Sequence, residues 1–165
     1  MEQMWVHVWG TVQGWMRDGL HLVNPDPEDP YNEVILHVSP ETAVADGALG
    51  LPVGVESITD GDRLDAWIGP AVMMSLPPQA VAAAVVVNLP EGMAVGYHSV
   101  VTAELSEAGV AVTAADGAAF TVPPTADISP WRTRQIVRLE DIAPERQLLV
   151  WRDETGAVTR AVLFP

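Results

Sequence analysis

The chain reads as all-β, two tandem five-stranded small barrels of OB-like type, with one continuous β-sandwich across both halves as the alternative. Three observations carry this. The first is an internal repeat at an offset of 84 residues. Glu56/Glu140, Ile58/Ile142, Leu64/Leu148 and Trp67/Trp151 are identical at that offset, as are Val38/Val122 and Pro40/Pro124. Fixed-offset similarity marks a repeated structural unit, so the domains are expected at 1–90 and 91–165. The second is a succession of short β-rich runs punctuated by Gly and Pro. The third is the lack of long stretches with helical period.

In the first unit, strands are expected at Val6 to Val12, Leu20 to Val23, Val34 to Val38, Arg63 to Ile68 and Val81 to Val87. Arg17-Asp18-Gly19 is a turn signal, and a two-residue hairpin on Asp18-Gly19 would set His21 near Met16. Three prolines make Asn24 to Pro30 a loop. Pro40 to Pro52 reads as irregular, with Gly47 and Gly50 as breakers. Val81 to Val87 is apolar throughout, as in a strand buried on both faces. In the second unit the strands are Tyr97 to Leu105, Val110 to Ala114, Ala119 to Val122, Leu148 to Arg152 and Val158 to Phe164, with a further strand or extended piece at Arg134 to Leu139. Pro78 to Ala84 and Leu139 to Ile142 are the short helical candidates.

The chain has 165 residues and is 48% hydrophobic with 18% charged, the composition of a globular protein. Net charge is −14, from 22 acidic residues against 8 basic ones, all arginine. Such a surface repels phosphate backbones, so no nucleic-acid partner is expected despite the barrel pattern. Cysteine is absent, which removes disulfides and thiol chemistry. No apolar run is long enough for a membrane span, and no basic-then-apolar leader opens the chain.

Candidate chemistry is sparse. His7, His21 and His37 each sit between apolar neighbours, so strand alternation puts all three imidazoles on the face opposite the core. His7 falls about 30 Å from His21 at strand rise, whereas His21 and His37 are diagonal neighbours. The loop Asn24, Asp26, Glu28 and Asp29 alternates oxygen donors as a calcium loop begins, but lacks its glycine and closing glutamate. A divalent ion, Ca or Zn, on His21, His37, Asn24, Asp26 and Glu28 is thus one reading; a solvated acidic loop with solvent-facing histidines is the other. Asp60, Asp62 and Asp65 suggest a carboxylate pair, but a turn before a strand explains them better. No nucleophile turn or phosphate loop occurs, so no catalytic residue is assigned and no cofactor is required. Trp5, Trp9 and Trp15 alternate with Val6, Val8 and Val12. They are expected on the outer face, covered by the other unit or by a partner.

The run Gly61 to Gln79, with Gly61-Asp62 at its start and Gly69-Pro70 leading to Ser75, Pro77, Pro78 and Gln79, resembles a known pattern. It is that of an uncharacterised β-rich module of exported and cell-envelope proteins from Firmicutes-type bacteria. Val72 stands at the Met position of that pattern, with Met73 one place on. The resemblance covers about 30 residues and implies export and a role at the cell surface. Pro77 and Pro78 read as a rigid connection, with Met73, Met74 and Leu76 expected to cap an open barrel end.

The resulting expectation is a non-catalytic exported binding or assembly module, working through self-association or a protein partner. A metal- or small-ligand-binding protein is the alternative, and a hydrolase-like enzyme the third reading.

Overall fold

A computed structural model describes residues 5–165. They divide into two compact units, 5–90 and 91–165. Both are all-β, and each holds one six-stranded sheet whose strands pair only within their own unit.

The first unit contains β1 (Val6–Met16), β2 (Gly19–Val23), β3 (Glu33–His37), β4 (Ala43–Asp46), β5 (Arg63–Ile68) and β6 (Gln79–Val87). Strand order is β3-β2-β1-β5-β6-β4, and β3 also pairs with β6. Both β3 and β4 run parallel to β6, opposite Gln79 to Val81 and Ala84 to Val87 respectively. Alternation decides which side chains face the core. Val8 and Val12 on β1, Leu20 and Leu22 on β2, and Leu64, Ala66 and Ile68 on β5 join one buried cluster. The intervening Asp65 and Trp67 point to the other face and are buried there.

The second unit contains β7 (Ala94–Ser106), β8 (Gly109–Ala114), β9 (Ala119–Val122), β10 (Asp127–Pro130), β11 (Gln147–Arg152) and β12 (Val158–Leu163). Its order is β10-β12-β11-β7-β8-β9. Val100, Val110, Val112, Leu148, Val150 and Leu163 are central to its core.

Each unit therefore has six strands, where the sequence indicates five. β4 and β10 were hidden for a physical reason. Both are short and pair parallel with a distant strand, so neither belongs to a local hairpin, whereas the equally short β9 pairs antiparallel with the adjacent β8. Thr42 Oγ1 donates to the Ala82 carbonyl at 2.6 Å and anchors β4. Pro130 closes β10 without costing the ladder a bond, because the donor to the Leu163 carbonyl is the next amide, Trp131 N, at 3.0 Å. Arg134 to Leu139 alternates suitably but makes no ladder. Of the two helical candidates, Leu139–Asp141 is a single 3₁₀ turn, as is Val55–Ser57 in the first unit. From Gln79 onward, Pro78 to Ala84 is strand.

The repeat is real but its offset is not uniform. Leu64 pairs with Val87 and Leu148 with Leu163, while Ala43 pairs with Ala84 and Asp127 with Arg160. These ladders make β4 equivalent to β10 and β5 to β11, at 84 residues. Upstream, Leu20 pairs with Leu36 and Val110 with Val122. With Met16↔Gly19 and Ser106↔Gly109 as matched hairpin ends, Leu36 rather than Val38 is the counterpart of Val122. The cause is unequal loops. Between β2 and β3 the chain takes 24–32, and between β8 and β9 only 115–118.

Candidate functional site

The first candidate site is the place where the β1–β2 hairpin meets the β5–β6 connection. The hairpin turns on Arg17 and Asp18, both with positive φ (52° and 65°), so Met16 pairs with Gly19. This is the primed two-residue geometry that matches strand twist, and it lies one residue earlier than an Asp18-Gly19 turn would. The ladder also slips between Val12 and Trp15, with Gly14 at φ 90°. A bulge of this kind flips the alternation beyond it. Trp15 therefore stands opposite Leu20, on the same side as core residues, rather than on the outer face with Trp9. It lies beyond the end of the core and is 60% exposed.

The β5–β6 connection, 69–78, is held by its own polar groups. Met73 and Gln79 exchange backbone hydrogen bonds at 2.8 and 3.0 Å. Ser75 Oγ donates to the Pro77 carbonyl (2.6 Å), and Gln79 Nε2 donates to Ser75 Oγ (3.2 Å). The Gln79 Oε1 atom accepts from His37 Nε2 at 2.9 Å, tying the loop to β3. Arg17 Nη2 reaches the Leu76 carbonyl at 3.4 Å and joins hairpin to loop.

Val72 packs on the core, so it supplies the cap expected of its neighbours. Met73, Met74 and Leu76 instead point outward, 64%, 82% and 92% exposed. Ser75 and Gln79 thus have a clear structural task, which is to fix a loop that presents apolar side chains to solvent.

The other two tryptophans of this region, Trp9 on β1 and Trp5 just before it, are less available. Trp9 lies under the Arg63 guanidinium, 4.8 Å from the ring centre, and Trp5 is partly buried. Beside them is a polar cluster that sequence inspection did not single out as such. Asp65 is buried. It accepts from His7 Nε2 at 2.8 Å and from Arg63 Nε at 3.3 Å, while the His7 ring lies over Trp67 at 5.2 Å. The ladder places His7 opposite Trp67 and Trp9 opposite Asp65, which brings these groups onto one face.

In the second unit, His98 stands opposite Leu148, on the core side of its sheet. It is 7% exposed, and its Nδ1 donates to Asp116 at 2.9 Å from the β8–β9 turn. Its Nε2 is buried without a hydrogen-bond partner among the described residues, against Gly96. Phe120 stacks on the ring at 5.1 Å, and Arg152 lies 4.8 Å over Phe120. Burial lowers the pKa of His98 and outweighs the raising pull of Asp116. A bare Nε2 is suited to the neutral imidazole, since protonation would bury an unsatisfied N–H. In the first unit the same ladder position is held by Gly10.

The residues suggested for a metal are engaged separately. His21 Nε2 bonds Glu33 at 3.1 Å, while His37 bonds Gln79. Asn24 Nδ2 donates to the Trp9 carbonyl and to Asp29, and its Oδ1 accepts from the Asp26 amide. Asp26 in turn accepts from the Glu28 amide. These are Asx-type turn bonds that shape a proline-rich loop. Among the described residues no group of three or more His, Asp or Glu side chains converges as a metal site requires. Asp62 accepts from Thr59 and Asn88, the Thr59 amide holding its carboxyl below the usual range, so it belongs to the turn before β5 rather than to Asp65.

No protein-family model matches the chain. Comparison with curated proteins likewise gives no match.

Proposed function

We propose that the protein is a non-catalytic binding and assembly module of the cell envelope, and that the apolar tip of the first unit is its docking surface. The observation that carries this is the exposure of Trp15, Met73, Met74 and Leu76 on backbone held by hydrogen bonds. Arg17, two residues from Trp15, bonds the Leu76 carbonyl and so brings the hairpin to the loop. Exposed apolar side chains mark contact sites, and a preorganised loop loses little entropy on docking. Met suits such a surface because its flexible thioether adapts to a partner.

The OB-like barrel reading belongs to the same proposal. It is supported in the first unit by the pairing of β3 with both β2 and β6, which links β1, β2, β3, β6 and β5 in a cycle. Export rests on the resemblance of Gly61 to Gln79 to an envelope module. The acidic surface weighs against a nucleic-acid partner.

The test is mass in solution by light scattering over a concentration series. Growth in mass that Leu76→Asp abolishes supports the proposal. A wild type that stays monomeric at every concentration sinks self-assembly through this tip.

A further inference from the structure

The repeat itself points to what the tip contacts. The segment after β4, 47–54, is apolar at its exposed positions, with Leu49 and Leu51 each about half exposed. Its counterpart after β10, 131–138, has become basic. Arg132, Arg134 and Arg138 lie within seven residues, all exposed, around Ile136 at 84% exposure. They are three of the eight positive side chains in the molecule. Arg132 lies over the buried Trp131 ring at 5.7 Å, and Arg138 reaches Glu140 at 3.9 Å between exposed side chains. Arg134 has no ion-pair partner among the described residues.

The first unit has the opposite balance. Residues 5–90 carry eleven acidic side chains and two arginines, against ten and six in 91–165. Two of those acids flank the tip. Asp18 is exposed in the hairpin turn, and the exposed Asp60 carboxylate faces Gly14, next to Trp15.

We infer that the tip of one copy, Trp15, Met74 and Leu76 with Asp18 and Asp60 beside them, docks on the strip 132–138 of a second copy. Ile136 meets the apolar tip, and the arginines meet the carboxylates and the exposed Trp15 face. Arginine is suited to both, pairing with carboxylates and stacking on indole. Complementary charge sets the orientation of such a contact and speeds encounter. Because tip and strip are different surfaces, the contact is heterologous, and each added copy presents a fresh tip or strip. This rests on the assembly reading proposed above.

The experiment uses the full chain and two variants. Met74→Asp/Leu76→Asp lacks the tip and keeps the strip; Arg134→Glu/Ile136→Asp lacks the strip and keeps the tip. All four positions are exposed, and unchanged far-UV circular dichroism and melting confirm folding. If a double variant melts early, Leu76→Ser or Arg134→Ser replaces it. Wild type should grow in mass with concentration, and more weakly at 1 M than at 0.1 M salt, where the screening length falls from about 10 Å to about 3 Å. Each variant alone should stay monomeric. Their mixture should give a dimer of one copy of each and nothing larger, because only one tip and one strip remain.

A strip variant that still self-associates overturns this inference and leaves the assembly reading standing, with tip meeting tip. Two monomeric variants that fail to pair when mixed also overturn it. A wild type that never grows removes both.

Discussion

The two units share ladders and core positions yet differ where the chain leaves the sheet. In the first, the connection between β5 and β6 runs over 69–78 and displays Met74 and Leu76; in the second, β11 and β12 are joined by 153–157 alone. There Asp153 Oδ1 accepts from the Thr155 and Ala157 amides and from the Thr155 hydroxyl, closing a compact turn. Burial of Leu64/Leu148 and Trp67/Trp151 is near complete in both. The core repeats because strand alternation and packing allow few substitutions. The loops are free to diverge, and that is where the two halves acquire different surfaces.

Polar chemistry diverges in the same way. The first unit keeps its buried charge, Asp65, on the face away from its core; the second places His98 on the core side, tethered to a loop carboxylate. Each arrangement makes a separate demand on stability, so substitutions can test whether the units are alike where they repeat and unlike where they do not.

The largest effects belong to the shared core. Leu64→Ala and Leu148→Ala each empty a fully buried position and should each cost about 3 kcal/mol in chemical denaturation. A large disparity between them would break the equivalence of the units. Next comes the pair at Asp65. Removing both partners, with His7→Phe and Arg63→Met, strands a buried carboxylate and should cost about 3 kcal/mol. Asp65→Leu leaves only half-exposed partners that rehydrate, and should cost about 1 kcal/mol or less. The reverse order would mean that Asp65 is not the desolvated member.

A smaller effect is expected at His98. Its folded pKa is lowered, and its unfolded value is about 6.5. The unfolded chain then binds the proton more readily. Stability contributed by the neutral ring is full above about pH 6.5 and declines as pH falls from there toward the lowered folded pKa. Melting curves should show this decline in wild type and less of it in His98→Phe. Identical pH profiles would remove the titration from the account. The smallest stability change is expected at the tip, where Leu76→Asp should shift unfolding by about 0.5 kcal/mol or less while abolishing association.

Much of the core was legible in sequence, because Leu20 and Leu22 on β2, and Leu64 and Ile68 on β5, obey period two within strands whose bulges fall on the partner side. The tip was harder. The parity argument placed Trp15 outward with Trp9, and it failed at the bulge by Gly14, whose extra residue no alternation pattern announces. Met73, Met74 and Leu76 looked like a cap because they are apolar, yet Val72 alone takes that role. The His98 contact could not be read at all, since it depends on a turn carboxylate eighteen residues away meeting an interior strand position. Asp65 was visible as an acid, but its burial follows from a cross-strand register that only the fold sets.

The most direct test of the tip as a docking surface is its own chemistry. Met73 and Met74 are exposed thioethers that peroxide oxidises readily. Peptide mass spectrometry should show their oxidation slowing as protein concentration, and with it mass in solution, rises. Oxidation at an unchanged rate while the mass grows would place the contact elsewhere and contradict the account.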